Sequence, residues 1–247
     1  MRAHSVLLAA ALALVGSSAP AQERPGPAAQ SIARYRGVIP RLGDAAADLQ
    51  RMELARAEKT LKSILTTVPE FSDAHFLMAR VLYAQRRYPE ALASIERAKE
   101  TFGSTAAMMA GAREERKAEL IRQKSEQMTL LTRASGPTAG AIRQKIGIIE
   151  VELSQLGPVE VTEIPAPMYF VHANVLLRLG KAKLAVEQYQ EALRIDPKYG
   201  DAANNLASLY YDAKLYERAR QVIVGIESNG GAVTPALKSA VMEKLAP

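Results

Sequence analysis

Along residues 38–105 and again along 166–233, small and apolar residues recur at helical spacing, and the pattern returns in one register. Ala57, Ala91, Ala185 and Ala219 form one column, separated by 34, 94 and 34 residues. Leu61, Ile95, Tyr189 and Ile223 keep those separations, and so do Ile64, Ala98, Ala192 and Ile226. A column of Ala45, Ala79, Ala173 and Ala207 runs twelve residues ahead of the first, and a terminating column reads Pro69, Gly103, Pro197 and Gly231. Alanine is abundant in this chain, so one column of it would mean little. Five columns in one register define a repeat.

Each unit divides into two amphipathic helices. In the third, Tyr169, His172, Ala173 and Leu176 share one face of a first helix, Gly180 marks a turn, and Ala185, Tyr189 and Ala192 share one face of a second. Short side chains let two antiparallel helices approach closely, and the aromatic fills the space beside them. Pro197 ends the second helix, while Pro89 and Pro167 fall where helices start and proline is tolerated.

The separation of 94 residues places an insertion at 106–165. Its composition predicts a long helix with a charged middle, a turn at SGPTAG (135–140), and a second helix carrying Ile142, Ile146, Ile149 and Leu153 on one face. We expect this elongated hairpin to occupy the place of a degenerate repeat in the stack, or to pair with another subunit through Met108, Met109, Ile146 and Ile149. Residues 22–37 are rich in Pro, Gly and Gln and are expected to be a mobile leader. At the other end, Thr234 and Pro235 are expected to open a last helix over 234–247, with Leu237, Val241 and Leu245 covering the apolar face of the final repeat.

A helix-turn-helix unit of 34 residues with this Ala, Tyr and Pro pattern resembles the tetratricopeptide repeat. The match is strongest over 167–199, good over 201–223 and fair over 73–98. It is weakest over 38–71, where Pro40, Gly43 and Asp44 disturb the first helix. The fold expected is an all-α, right-handed α-solenoid of four such hairpins, with the elongated hairpin inserted in the middle and a C-terminal capping helix.

The resemblance implies that the first helices line a concave groove for a partner protein or extended peptide. Residues at offsets 0, 4 and 7 then become candidates: Phe76, Arg80 and Tyr83; Phe170, Asn174 and Leu177; Asn204, Ser208 and Tyr211; with Arg178 and Asn205 flanking. Asn amides suit backbone groups, Arg suits carboxylates, and aromatics suit apolar side chains. The alternative is that the stripe packs against neighbouring helices; for Asn174, Asn204 and Tyr211 binding is favoured, because a buried amide without a partner is costly. The family's two-carboxylate clamp is not reproduced, because its Lys counterparts are absent.

The N-terminus changes the picture of location. Arg2, an apolar run from Val6 to Val15 and the small Ala19-Pro20-Ala21 ending have the layout of a secretory signal peptide over 1–21. The run is too short to span a bilayer. The expected mature protein is periplasmic, with 31 basic and 26 acidic side chains once Arg2 is removed from the 32, a formal charge of +5. With both signs interspersed, this makes no case for nucleic acid. There is no cysteine, so neither disulfides nor a lipidated N-terminal Cys are available.

Candidate chemistry is sparse. His75 and His172 lack a second histidine or convergent carboxylates at helical spacing, and no phosphate loop or nucleophile elbow occurs. No catalytic residue, metal or cofactor is therefore assigned. We expect a non-catalytic envelope scaffold that binds a protein or peptide; the alternatives are a chaperone-like assembly factor gripping clients through Phe76, Tyr83 and Phe170, or an enzyme or saccharide-binding accessory of wall metabolism with a polar pocket near Glu163, His172 and Arg178.

Overall fold

The computed structural model describes residues 27–156 and 163–246, and every regular element among them is an α-helix. The expected signal segment 1–21, residues 22–26 of the leader and 157–162 of the loop before the third unit lie outside the described residues. Helices pair in sequence: α1 (Pro27–Gln50) with α2 (Leu54–Thr67), α3 (Ser72–Ala84) with α4 (Tyr88–Glu100), α5 (Phe102–Leu131) with α6 (Gly136–Gln155), α7 (Ala166–Arg178) with α8 (Ala182–Ile195), and α9 (Gly200–Asp212) with α10 (Tyr216–Ser228). A last helix, α11 (Pro235–Leu245), packs on α9 and α10. The molecule is an all-α solenoid of helical hairpins.

The columns that define the repeat are its interior. No residue of the four columns beginning at Ala45, Ala57, Leu61 and Ile64 is more than 2% exposed. The turns repeat as well: Met52 (φ 62°), Arg86 (φ 63°), Gly180 (φ 73°) and Lys214 (φ 60°) all adopt the left-handed conformation, again 34, 94 and 34 residues apart. Only Gly180 does so without the steric penalty of a Cβ.

The insertion does not occupy a place in the stack. Helix α4 packs directly against α7, and α3 also reaches α7. Met168 of α7 is buried with Ala79, Ile95 and Ala98, and Val175 joins the core of the first two units. The N-terminal third of α5 turns back instead onto α1 and α3. Ser72 N–H donates to Thr105 Oγ1 (2.8 Å), Thr105 donates to the Glu70 carbonyl (2.8 Å), and Ser72 Oγ donates to the Ala98 carbonyl (2.7 Å). Beyond the Arg36–Glu115 ion pair (3.5 Å), α5 is packed chiefly on α6. One residue, Thr101, separates α4 from α5, so Gly103 lies inside a helix rather than terminating one. Met108 packs against the core of the first units, whereas Met109 is exposed.

Two expectations for the N-terminus are corrected. Residues 27–37, expected to belong to a mobile leader, are the first turns of α1, with Tyr35 buried edge-on to Phe71 at 5.0 Å between ring centroids. Pro40, Gly43 and Asp44 do not break α1, because all three fall on its exposed face while Tyr35, Val38, Ala45 and Leu49 bury the other. On that face water can reach the carbonyl that Pro40 leaves without an N–H donor. At the C-terminus, Val241 is buried and Leu237 packs against the core, but Leu245 is exposed. Thr234 holds the N-cap position without a side-chain capping bond; its N–H donates to Asn204 Oδ1 (2.8 Å). Among the described residues no helix is long and apolar enough to cross a membrane.

Candidate interaction groove

The first helices α3, α7 and α9 bring the candidate residues onto neighbouring surfaces, but their roles divide. Arg80 is exposed on α3, its guanidinium 5.8 Å from the centroid of the Phe76 ring, one turn away. Arg178, exposed at the end of α7, donates from Nε to the Tyr83 hydroxyl (3.1 Å) and lies 6.0 Å from that ring's centroid. Among the described residues neither arginine has a carboxylate within ion-pairing distance. Most arginines elsewhere do, including Arg87 with Glu58 (2.9 Å) and Arg97 with Glu100 (2.8 Å).

The aromatic residues are only half exposed. Tyr83 packs edge-on to Tyr88 at 5.6 Å, and Tyr211 packs the same way on Tyr216 at 5.5 Å. Phe170 sits 6.0 Å from Tyr189 and 5.1 Å from Tyr199. Tyr199, in the loop before α9, was not a sequence candidate. Burial raises its phenol pKa, with Asp201 adding to the shift and the Arg80 charge opposing it. Leu177 packs against the core of the last two units, and Ser208 is half-buried.

The three asparagines, all half-buried, each engage part of their amide within the molecule. Asn174 Oδ1 accepts from the Tyr189 hydroxyl (2.5 Å) and from Asn205 Nδ2 (3.0 Å), and Asn205 Nδ2 also reaches the Tyr189 oxygen (3.0 Å). Burial pushes the Tyr189 phenol up to about 12, which keeps it a hydrogen-bond donor. Asn204 Nδ2 donates to the Gly200 carbonyl (3.0 Å) while its Oδ1 accepts from Thr234 N–H. Each of these amides thus has an intramolecular partner.

Among the described residues, Glu163, His172 and Arg178, expected near one polar pocket, each have different partners. His172 faces α4 and α8: Lys99 Nζ lies 3.5 Å from its Nδ1, donates to Gln188 Oε1 (2.8 Å), and sits 4.1 Å from the Tyr169 ring centroid. Burial first, and the Lys99 charge second, push the His172 pKa down to about 4. Glu163 instead lies 3.7 Å from Arg194, and Arg178 points to Tyr83. His75 Nε2 is hydrogen-bonded to the Pro69 carbonyl (2.8 Å). Among the described residues no group of three or more His, Cys, Asp or Glu could hold a metal ion.

Comparison with known proteins identifies the repeat. The solved structure of TTC0263, a thermophilic TPR protein of Thermus thermophilus, is 14% identical with a TM-score of 0.35, covering 84% of this chain and 98% of that chain. Pseudomonas aeruginosa pilF is 18% identical with a TM-score of 0.37, covering 86% and 90%. YrrB, described as a TPR protein with an unusual peptide-binding site, is 18% identical with a TM-score of 0.29, covering 90% and 99%. No curated protein matches the chain. Family models of the tetratricopeptide repeat match residues 48–113 and 170–224, on either side of the projecting hairpin, and with the buried repeat columns they establish that this chain belongs to the tetratricopeptide-repeat family.

Proposed function

We propose that this protein is a non-catalytic scaffold, exported to the cell envelope and acting in the periplasm, which holds a partner protein or extended peptide in the groove lined by α3, α7 and α9. The tetratricopeptide fold is a protein-interaction scaffold, and its members are generally not catalysts. One observation carries the choice of groove. Arg80 and Arg178 stand exposed on successive first helices, each against an aromatic ring and neither ion-paired among the described residues. A preformed cation on a rigid helix loses little entropy when it meets a carboxylate or a backbone carbonyl. Export rests on the layout of residues 1–21.

The chaperone-like alternative has less support. Phe76, Tyr83 and Phe170, which would grip clients, are half-buried and already engaged with Arg80, Tyr88, Tyr189 and Tyr199.

The test is crosslinking and affinity capture of residues 22–247 from an envelope extract of the source cells, beside an Arg80→Glu, Arg178→Glu variant with unchanged helicity. A discrete partner captured by the natural chain and lost from the variant supports the groove. An identical set in both samples removes it.

A further inference from the structure

Helix α6 is free of charge on two opposite faces. Ala139, Ile142, Ile146 and Ile149 are buried against α5. The opposite face carries Gly140, Gln144, Gly147 and Val151 at spacings of 4, 3 and 4 residues, with Ala141 and Ile148 beside them. All six are exposed, Ile148 at 62% and Val151 at 58%, and none is charged. A solvated helix face normally carries its charges there. Here charge is confined to the two edges of the stripe: Arg143 and Glu150 on one, Lys145 and Glu152 on the other.

On both edges the cation is N-terminal to the anion by two helical turns. We infer that this stripe is a two-fold interface at which α6 packs antiparallel on α6 of a second copy of the chain. A two-fold axis perpendicular to the helix sets each edge against the same edge of its copy, running in the opposite direction. Arg143 then meets Glu150 of the copy and Lys145 meets Glu152, with the axis passing close to Gly147. Parallel packing would set like charges side by side.

Three further observations fit a copy of the chain rather than an unrelated partner. Arg143 and Lys145 have no carboxylate partner among the described residues. Glu150 and Glu152 do have partners, Lys124 and Arg116 at 2.7 Å each, yet keep 53% and 39% side-chain exposure, which leaves lone pairs open. Gly147 lies midway along the length of the stripe, where a Cβ would meet nothing within 4 Å in the single chain. Its bare backbone lets two helices close to short separation.

The fold also makes the stripe reachable. From Arg116 to Leu131 the arm extends about 24 Å along α5, past the contacts with α1, so two copies can meet without their repeat arrays colliding. The contact depends neither on the groove nor on what fills it.

The experiment is light scattering and sedimentation of residues 22–247 across a concentration series. We expect a concentration-dependent monomer–dimer equilibrium. Gly147→Lys should abolish the dimer while leaving the monomer's helicity and melting no lower, since the position is open and Gly is the poorer helix former. The double variants Arg143→Glu, Lys145→Glu and Glu150→Lys, Glu152→Lys should each be monomeric alone, at least tenfold weaker in self-association, and should form a heterodimer when mixed. A chain that stays monomeric throughout the series, a dimer that survives Gly147→Lys, or variants that fail to pair when mixed would each overturn the inference.

Discussion

Arg178 Nε donates to the Tyr83 hydroxyl at 3.1 Å across 95 residues of sequence. The bond links the last turn of α7 to α3, and Lys99 of α4 reaches Gln188 of α8 across the same junction. The two halves of the repeat array are thus one stack, and the long hairpin is an excursion from it.

That continuity predicts that the arm can be shortened without cost to the array. Deleting residues 118–131 together with 137–150 removes matched stretches of α5 and α6 while keeping Arg116, Glu152 and the turn between the helices. Helical circular dichroism should fall in proportion to the residues removed. The main unfolding transition should keep its midpoint within about 3 °C, a shift of less than about 1 kcal/mol for a chain of this size. If the hairpin were a structural repeat, its loss would split or sharply lower the transition.

The turn column makes a second prediction. Met52, Arg86 and Lys214 each hold a side chain in the left-handed region that Gly180 occupies freely. Replacing any of the three with Gly should stabilise the chain by about 0.5–1 kcal/mol, the relief of left-handed strain exceeding the entropic cost of glycine. Gly180→Ala should destabilise it by about 1 kcal/mol. Urea midpoints measure both, and a Gly substitution that destabilises would contradict the assigned turn.

Asn174 and Arg80 should separate stability from binding. Asn174→Ala removes the acceptor for both the Tyr189 hydroxyl and Asn205 Nδ2, leaving buried polar groups short of partners at a cost of about 1–3 kcal/mol. Arg80→Ala touches an exposed side chain stacked on Phe76 and should change stability by no more than about 0.5 kcal/mol. Under the groove reading, Arg80→Ala lowers partner capture with the melting curve intact. Asn174→Ala lowers capture only in step with the loss of folded protein.

The repeat was legible in the sequence because burial acts on the same offsets in every unit; Ala57, Leu61 and Ile64 could be aligned with their counterparts without any structure. Three other features were not legible, each for a physical reason. Pro40 and Gly43 read as helix breakers because local propensity ignores which face they fall on, and burial of Tyr35 and Val38 on the other face outweighs it. The route of the insertion depends on whether α7 fits α4 better than α5 does, a comparison of packed surfaces that spacing does not encode. The internal pairing of the groove asparagines was the third: Tyr189 lies on another helix from Asn174, and Thr234 lies beyond the repeats, so these bonds are tertiary information.

Acid should weaken the array in two separate windows. His172 is held at a pKa of about 4 by burial and then by Lys99, below the ordinary 6.5, so between those values the unfolded chain binds the proton more readily than the folded one. Its contribution is complete above pH 6.5 and is lost as pH falls towards 4, by up to about 3 kcal/mol. Glu58 is held at about 2, below 4.5, by hydrogen bonds from Lys62, Gln85 and Arg87; its contribution is present above pH 4.5 and is lost only as pH falls from there towards 2. His172→Gln should therefore reduce the slope of the stability profile between pH 6.5 and 4, with His75, also lowered by burial, supplying what remains, and leave the lower window intact. Glu58→Gln should do the reverse. Urea unfolding at a series of pH values separates the two, and a His172→Gln profile as steep as that of the natural chain between about pH 6 and 5 would show that the junction between α4 and α7 is not the acid-sensitive point.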